Sequence, residues 1–97
     1  MIELKIHYEP PFNMLTKKGD EVISVKENIK LQELFEVFYE KYGKEFKKLL
    51  WDKKNPEELS DFLSIIINGR TFRDEKFLDK ELKDGDDLSF LYVYFGG

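Results

Sequence analysis

One amphipathic helix pattern constrains the fold of this chain more than any other feature. Its apolar residues recur at the i, i+3, i+4, i+7 and i+11 spacing of one helix face, and they are Leu31, Leu34, Phe35, Phe38 and Tyr42. We expect Asn28 to cap the N-terminus of this helix and Gly43 to follow its last turn. Lys44–Leu50 predicts a short additional helical segment, and the polar stretch Trp51–Ser60 predicts a surface loop. One main helix cannot enclose a core alone, so its apolar face must pack against β-structure.

Two strand patterns precede the helix. Ile2–His7 alternates apolar and polar residues, which predicts a half-buried strand with Ile2, Leu4 and Ile6 facing inward. The β-branched run Glu21–Val25 predicts a second strand. Because the two segments are close in sequence, we expect them to form a hairpin with a loose loop.

Three further strand patterns follow the helix. Phe62–Ile67 is an almost wholly apolar run, which is typical of a central strand. Asn68–Gly69 is a strong signal for a tight turn, and Arg70–Phe72 predicts a short return strand. After a turn at Leu82–Asp87, the segment Leu88–Val93 predicts a final strand that is again apolar on both sides.

The order of these elements predicts an α+β fold. A mixed sheet of four to five strands, with one main helix packed across one face, accounts for all of them. The first and last strands should lie parallel at the centre, joined through the right-handed crossover that such connections require. A length of 97 residues suits a single domain over residues 1–97.

Composition excludes several kinds of functional site. The chain has no cysteine, which excludes disulfides, zinc–thiolate sites, iron–sulfur ligation and a cysteine nucleophile. The single histidine, His7, excludes a multi-histidine metal site, and we expect it on the surface. Asp84, Asp86 and Asp87 favour tight-turn chemistry over metal binding. With so few catalytic groups, we do not expect an enzyme.

Charge and hydropathy limit the partners. The net charge is −4, from 16 basic and 20 acidic residues, whereas nucleic-acid binding favours a basic surface. No apolar run reaches the about 18 residues that a membrane span needs, and the N-terminus has no signal-peptide pattern. We therefore expect a cytoplasmic protein that binds neither nucleic acid nor a membrane.

The chain ends in Gly96–Gly97, directly after the predicted final strand. Glycine has no Cβ, so two glycines form a thin, permissive thread that fits a narrow channel in a partner enzyme. The terminal carboxylate is a poor electrophile until it is activated, for example by adenylation, and the acyl adenylate then accepts sulfur or an amine. The pattern predicts a carrier with a flexible tail at about 94–97. The alternative is that two glycines simply end the chain.

Three motifs together resemble one protein family. Ile66–Arg70 (Ile-Ile-Asn-Gly-Arg), Leu82–Leu88 and the terminal glycines resemble the MoaD/ThiS family of ubiquitin-like sulfur carriers, most like MoaD and the archaeal small modifiers. The order of elements also matches the β-grasp fold of that family. The resemblance implies that Gly97 bears an acyl adenylate and then a thiocarboxylate, with Gly96 as its slender neighbour. Prolines often precede the glycines in MoaD-like tails, whereas this chain has Tyr92–Phe95.

The resemblance also implies partners. A ubiquitin-activating-type adenylating enzyme would use ATP to activate the tail, and the chain itself would bind no cofactor and no metal. A sulfur acceptor, such as the large subunit of a molybdopterin synthase, would receive the sulfur for a molybdenum or tungsten pterin cofactor. Two alternatives stay open, namely conjugation of Gly97 to lysines of other proteins and a β-grasp interaction module without C-terminal chemistry.

A docking face for these partners is expected on the sheet. We expect Ile65, Ile67, Leu91 and Val93 on the outer face, away from the helix, where they would form an exposed apolar patch. This patch would dock the activating enzyme and the acceptor enzyme, with Phe95 at its rim. The alternative is that the long middle loop covers it.

Overall fold

Five strands form one mixed sheet in the computed structural model, which describes residues 1–73 and 75–94. They are β1 (Ile2–Tyr8), β2 (Asp20–Val25), β3 (Leu63–Ile67), β4 (Arg70–Phe72) and β5 (Asp87–Tyr92). Their spatial order is β2-β1-β5-β3-β4, with β1 and β5 parallel and the other neighbouring pairs antiparallel. The predicted α+β arrangement and its parallel central pair are confirmed.

Three α-helices and one 3₁₀ helix complete the described part of the chain. They are α1 (Phe12–Thr16), α2 (Leu31–Tyr42), α3 (Lys44–Leu50) and the 3₁₀ helix Glu75–Asp79. The sequence predicts α2 and α3 but neither of the other two, which span 5 residues each and are too short to show a periodic pattern. Within residues 1–73 and 75–94, no helix combines the length and apolarity needed to cross a membrane.

The apolar face of α2 packs on the sheet. Four of its predicted inward side chains are at most 1% exposed, namely Leu31, Leu34, Phe35 and Phe38. Phe38 stacks on Phe46 of α3 with ring centroids 4.7 Å apart, and it meets Phe90 of β5 edge-on at 5.3 Å. Aromatic pairs in these geometries add to the energy of apolar burial. Rings therefore join α2, α3 and the central strand.

The start of α2 differs from the prediction. Asn28 has a φ of 63° and lies in the turn before the helix, whereas the N-cap is Lys30. The Lys30 N–H donates to the Glu33 carboxylate over 2.9 Å, so an acid in the first turn satisfies the backbone there. The prediction of Asn28 as the cap was wrong because asparagine also suits left-handed turn positions.

Gly43 separates α2 from α3, as predicted. Its φ of 85° lies in the left-handed region that favours glycine. The Gly43 N–H donates to the Tyr39 carbonyl over 2.8 Å and closes the last turn of α2. The chain then turns directly into α3, which brings Phe46 back over the sheet.

The alternation predicted for β1 is present. Its inward side chains are buried, and they are Ile2, Leu4, Ile6 and Tyr8. Because successive side chains point to opposite faces of a strand, Glu3, Lys5 and His7 lie on the outer face of the sheet. One face of the sheet thus supports α2, and the other is open to solvent and to partners.

Candidate functional site

The last described residues leave the sheet at the carboxyl end of β5. The Tyr92 N–H donates to the Pro10 carbonyl over 3.3 Å, and the Val93 N–H donates to the Phe62 carbonyl over 2.7 Å. The next side chain, Tyr94, is 71% exposed. Two separate segments therefore fix the chain up to Val93, close to the predicted reactive end.

The predicted reactive residues come immediately after this point. Phe95, Gly96 and Gly97 lie outside the described residues, so the role of Gly97 as the reactive carboxylate and of Gly96 and Phe95 as its tail stay predictions. Hydrogen bonds hold the chain up to Val93, the residue before the predicted tail.

The structure corrects two residues of the predicted docking face. Ile65 is 0% exposed and Ile67 is 2% exposed, so neither reaches the surface. They lie opposite Phe90 and Leu88 on the α2 side of the sheet. Because side chains alternate along a strand, Ile66 is the isoleucine of this run that faces outward. Because a run of three isoleucines contains no polar residue, the sequence pattern alone does not show which of them face outward.

Leu91 and Val93, the other two residues of the predicted docking face, are partly exposed. Leu91 lies opposite Ser64, and alternation along β5 places it on the outer face with Ser89. Together with Ile66 they give the centre of this face a mixed character, part apolar and part hydroxyl. The role of Leu91 and Val93 as partner contacts stays a prediction.

His7 and Asp87 are joined by a side-chain hydrogen bond on the same outer face. The His7 Nε2 and the Asp87 Oδ2 are 2.9 Å apart, with side chains 40% and 47% exposed. His7 lies opposite Ser89 in the parallel pair of β1 and β5. Exposed pairs contribute little to stability, so the main effect of this pair is to make part of the outer face polar.

The aspartates before β5 order the turn, as expected. The Asp84 carboxylate accepts the Glu3 N–H over 2.8 Å, and the Asp86 carboxylate accepts the Lys83 N–H over 2.8 Å. Asp86 also accepts the side-chain amide of Asn68 over 2.9 Å. Among residues 1–73 and 75–94, no group of three or more histidine, cysteine or acidic residues is placed to hold a metal ion.

Sequence reasoning misses a nearly buried carboxylate, Glu21 of β2, whose side chain is 10% exposed. It accepts hydrogen bonds from the Tyr8 hydroxyl over 2.5 Å, from the Lys41 ammonium over 2.7 Å, and from the Tyr42 hydroxyl. Burial raises the pKa of the Glu21 carboxyl, but the hydrogen bonds from Lys41, Tyr42 and Tyr8 outweigh it and lower the pKa to about 2.

The pKa values of the two tyrosines in this cluster are raised. Burial, followed by the hydrogen bond to Glu21, raises the pKa of Tyr42 to about 12 and raises the pKa of Tyr8 further. Near neutral pH the carboxylate stays ionised and both hydroxyls stay protonated. The cluster is therefore a structural anchor between β1, β2 and α2, and it holds no group poised for general acid–base catalysis.

The fold defines a class of protein. The five-stranded mixed sheet carries one main helix, and β1 and β5 lie parallel at its centre. This is the ubiquitin-like β-grasp architecture. The model of the ThiS family matches residues 13–97, and the chain belongs to the ThiS family. A protein of Archaeoglobus fulgidus that is named as a sulfur carrier is 34% identical over 71 residues, which cover 73% of this chain and 77% of that protein.

Two solved structures share the fold along the whole chain. Subunit 1 of a molybdopterin converting factor from Pyrococcus furiosus superposes with a TM-score of 0.71 at 23% identity, covering 97% of this chain and 100% of that one. The small archaeal modifier protein 1 of Methanosarcina acetivorans superposes with a TM-score of 0.74 at 23% identity, covering 100% and 98%. The Archaeoglobus fulgidus relative is named as a sulfur carrier, in agreement with the predicted carrier.

Proposed function

We propose that this chain carries sulfur as a thiocarboxylate on Gly97, after adenylation of its terminal carboxylate. The observation that supports this most is the position of the C-terminal glycines. The predicted tail at about 94–97 comes directly after Val93, whose N–H is bonded to the Phe62 carbonyl. A firmly held strand end followed by a thin terminus suits a domain that presents its own end to another protein.

The chemistry needs two steps, both on a partner enzyme. One oxygen of the Gly97 carboxylate attacks the α-phosphate of ATP and releases pyrophosphate, which gives an acyl adenylate. A sulfur nucleophile then displaces AMP and leaves sulfur on the terminal carbonyl. The chain needs no thiol of its own for this role, in keeping with its lack of cysteine. ATP is bound by the adenylating enzyme and not by the carrier.

We propose pterin cofactor synthesis as the destination of the sulfur. The Pyrococcus furiosus protein with this fold is named as a molybdopterin converting factor subunit. By analogy, the acceptor would be a molybdopterin synthase large subunit that makes a molybdenum or tungsten pterin. Leu91 and Val93, on the open side of the strand that leads to the tail, would contact both the acceptor and the adenylating enzyme.

Mass spectrometry of the intact chain tests the carrier role. The purified chain is incubated with ATP, sulfide and its cognate adenylating enzyme, and the C-terminal peptide is weighed. We expect the mass increase of one sulfur replacing one oxygen, confined to Gly97. The matched control is a chain that lacks Gly96 and Gly97. An unmodified C-terminus in the intact chain, with an enzyme that is active on another carrier, contradicts the proposal.

A modifier role is the second candidate, favoured by the superposition on the small archaeal modifier protein of Methanosarcina acetivorans. In that role the acyl adenylate of Gly97 passes to a lysine amine and forms an isopeptide bond. After digestion with chymotrypsin, which cleaves after Phe95, Gly-Gly remnants on lysines of host proteins would establish conjugation if they occur with the intact chain and are absent with the truncated one. Thiocarboxylate without such remnants would support the sulfur-carrier role and contradict the modifier role.

A further inference from the structure

A groove of about 960 Å³ opens beside Tyr94, where the described chain ends. It lies between α1, the end of α3 and the loop 51–62, and we call it the tail groove. Its apolar lining includes Met14, Leu15, Leu49, Trp51, Phe62 and Tyr94. Neither the thiocarboxylate chemistry nor the docking face on the sheet makes use of it.

The tail groove gathers most of the exposed apolar side chains of the described residues. Met14 is 75% exposed, Phe62 is 45% exposed and Tyr94 is 71% exposed. Of the large hydrophobic residues in 1–73 and 75–94, only Met1 and Val22 are comparably exposed, and neither lines the groove. Clusters of exposed apolar side chains on one surface mark binding sites in many proteins, whereas single ones need no explanation.

The walls of the tail groove are held in place. The Tyr92 hydroxyl donates to the Leu49 carbonyl over 2.6 Å, which ties β5 to the end of α3. The Phe62 ring lies 5.8 Å from the Tyr92 ring and 5.1 Å from the Tyr94 ring, measured between centroids. On the other side, Phe12 anchors α1 in the core at 0% exposure. The groove is therefore preformed, which lowers the cost of binding.

The short tail limits where a partner can sit. Gly97 lies three residues after Tyr94. A fully extended chain spans at most about 3.5 Å per residue, so the proposed reactive carboxylate of Gly97 reaches no further than about 10 Å from Tyr94. A protein that adenylates Gly97 must therefore place its own surface within that distance of Tyr94, at the rim of the tail groove. This inference rests on the proposed function.

Two lysines at the rim are available to an acidic residue of the occupant. Lys53 and Lys54 are exposed, and no carboxylate within the described residues pairs with either. The Asp52 carboxylate is occupied by the N–H groups of Lys54 and Asn55, at 3.1 and 2.8 Å. The acids Glu45, Asp52 and Asp61 match the lysines Lys48, Lys53 and Lys54 in number along the lining. The groove is therefore neutral overall, and an acidic partner would meet only the local charge of Lys53 and Lys54.

We propose that the adenylating enzyme seats an apolar segment, flanked by an acidic residue, in the tail groove. The apolar segment would cover Met14 and Phe62, and the acid would meet Lys53 or Lys54. Such a contact fixes the direction in which the tail enters the active site of the enzyme. The groove would then act in binding, at a distance from the carboxylate that reacts.

The variant Met14→Glu tests the proposal, with Val22→Glu as the matched control. Both change a strongly exposed apolar residue to glutamate, at 75% and 60% exposure, but Val22 lies on the edge strand β2 away from the groove. The assay follows ATP-dependent pyrophosphate release by the cognate adenylating enzyme. We expect Met14→Glu to raise KM for the chain about tenfold or more with kcat unchanged, and Val22→Glu to alter KM less than about twofold.

Each outcome decides the matter. Absence of adenylation in the unchanged chain overturns the proposed function and this inference with it. Normal adenylation with an unaltered KM for Met14→Glu, whose fold is verified by circular dichroism, overturns the tail groove alone. Sedimentation identifies another occupant: if Met14→Glu separates a dimer of this chain and leaves KM unchanged, the groove binds a second copy.

The variant Lys54→Glu tests the acidic flank. We expect it to raise KM for the chain, and we expect that rise to become smaller as the salt concentration increases. A rise in KM that does not depend on salt would contradict the acidic flank.

Discussion

The Glu21 carboxylate offers the sharpest test of how this fold is stabilised. It is 10% exposed and binds the Tyr8 hydroxyl, the Tyr42 hydroxyl and the Lys41 ammonium, so it joins β2 to β1 and to α2. We consider the substitution Glu21→Gln, which keeps the size of the side chain and removes its charge. The neutral amide has one acceptor oxygen where the carboxylate has two, so part of this set of hydrogen bonds must be lost.

The lowered pKa of Glu21 gives the size of its contribution to the free energy of unfolding. The pKa of Glu21 falls from 4.5 to about 2, and one pKa unit corresponds to about 1.4 kcal/mol, so the ionised form contributes on the order of 3 kcal/mol at neutral pH. Because the folded-state pKa lies below the unfolded one, this contribution is present above pH 4.5 and is lost as the pH falls toward 2. At the folded-state pKa itself, only about 0.4 kcal/mol is left.

Urea unfolding at several pH values measures the effect, with the fluorescence of the single tryptophan, Trp51, as the probe. At pH 7 we expect Glu21→Gln to lower the free energy of unfolding by about 3 kcal/mol, and near pH 2 we expect the two proteins to differ by less than about 1 kcal/mol. The control is Glu45→Gln, which breaks an exposed pair with Lys48 and should change stability by less than about 0.5 kcal/mol. A loss below about 1 kcal/mol at pH 7, or a difference that stays constant with pH, would refute the reasoning.

Three further substitutions test the docking face, the break between α2 and α3, and the core. Leu91→Asp, at a partly exposed outer position, should abolish adenylation of the chain while the midpoint of urea unfolding hardly moves; unimpaired pyrophosphate release would remove the outer face as a docking site. Gly43→Ala places a Cβ at a φ of 85° and a ψ of −172°, and because no atom lies within 4 Å of that Cβ, backbone strain alone should cost about 1–3 kcal/mol in urea unfolding. Phe46→Ala empties the centre of the aromatic cluster, where the ring is 0% exposed, and should cost about 3–5 kcal/mol by the same measurement.

The parts of the fold that could be predicted are those in which burial repeats along the chain. The spacing from Leu31 to Tyr42 identifies α2 and its buried face, although the cap predicted at Asn28 lies two residues before the actual N-cap. The alternation in Ile2–His7 identifies the inner face of β1. These patterns exist because one side of each element is buried over its whole length. The Gly-Gly terminus likewise predicts the class of protein, since its chemistry lies in the sequence itself.

The rest depends on contacts between distant segments. Ile65 and Ile67 could not be assigned to a face without the register that sets them opposite Phe90 and Leu88. α1 is a single short helix whose position depends on Phe12 reaching a core built by later residues. A signal was present at Glu21, because it occupies an inward position in the alternation with Ile23, and a charge in such a position needs partners.

The Glu21 cluster and the end of β5 at Tyr92 lie at the same end of the β1–β5 pair. Tyr8 binds Glu21 through its hydroxyl, and two residues later the Pro10 carbonyl accepts the Tyr92 N–H. If the cluster holds this end of β1, Glu21→Gln should speed hydrogen exchange of the Tyr92 amide more than that of the Lys5 amide. The Lys5 N–H bonds to the Asp86 carbonyl at the opposite end of the β1–β5 pair, and it reports only the global loss of stability. Equal acceleration of both amides would mean that the carboxylate stabilises the domain as a whole and has no specific effect on the hydrogen bond of Tyr92.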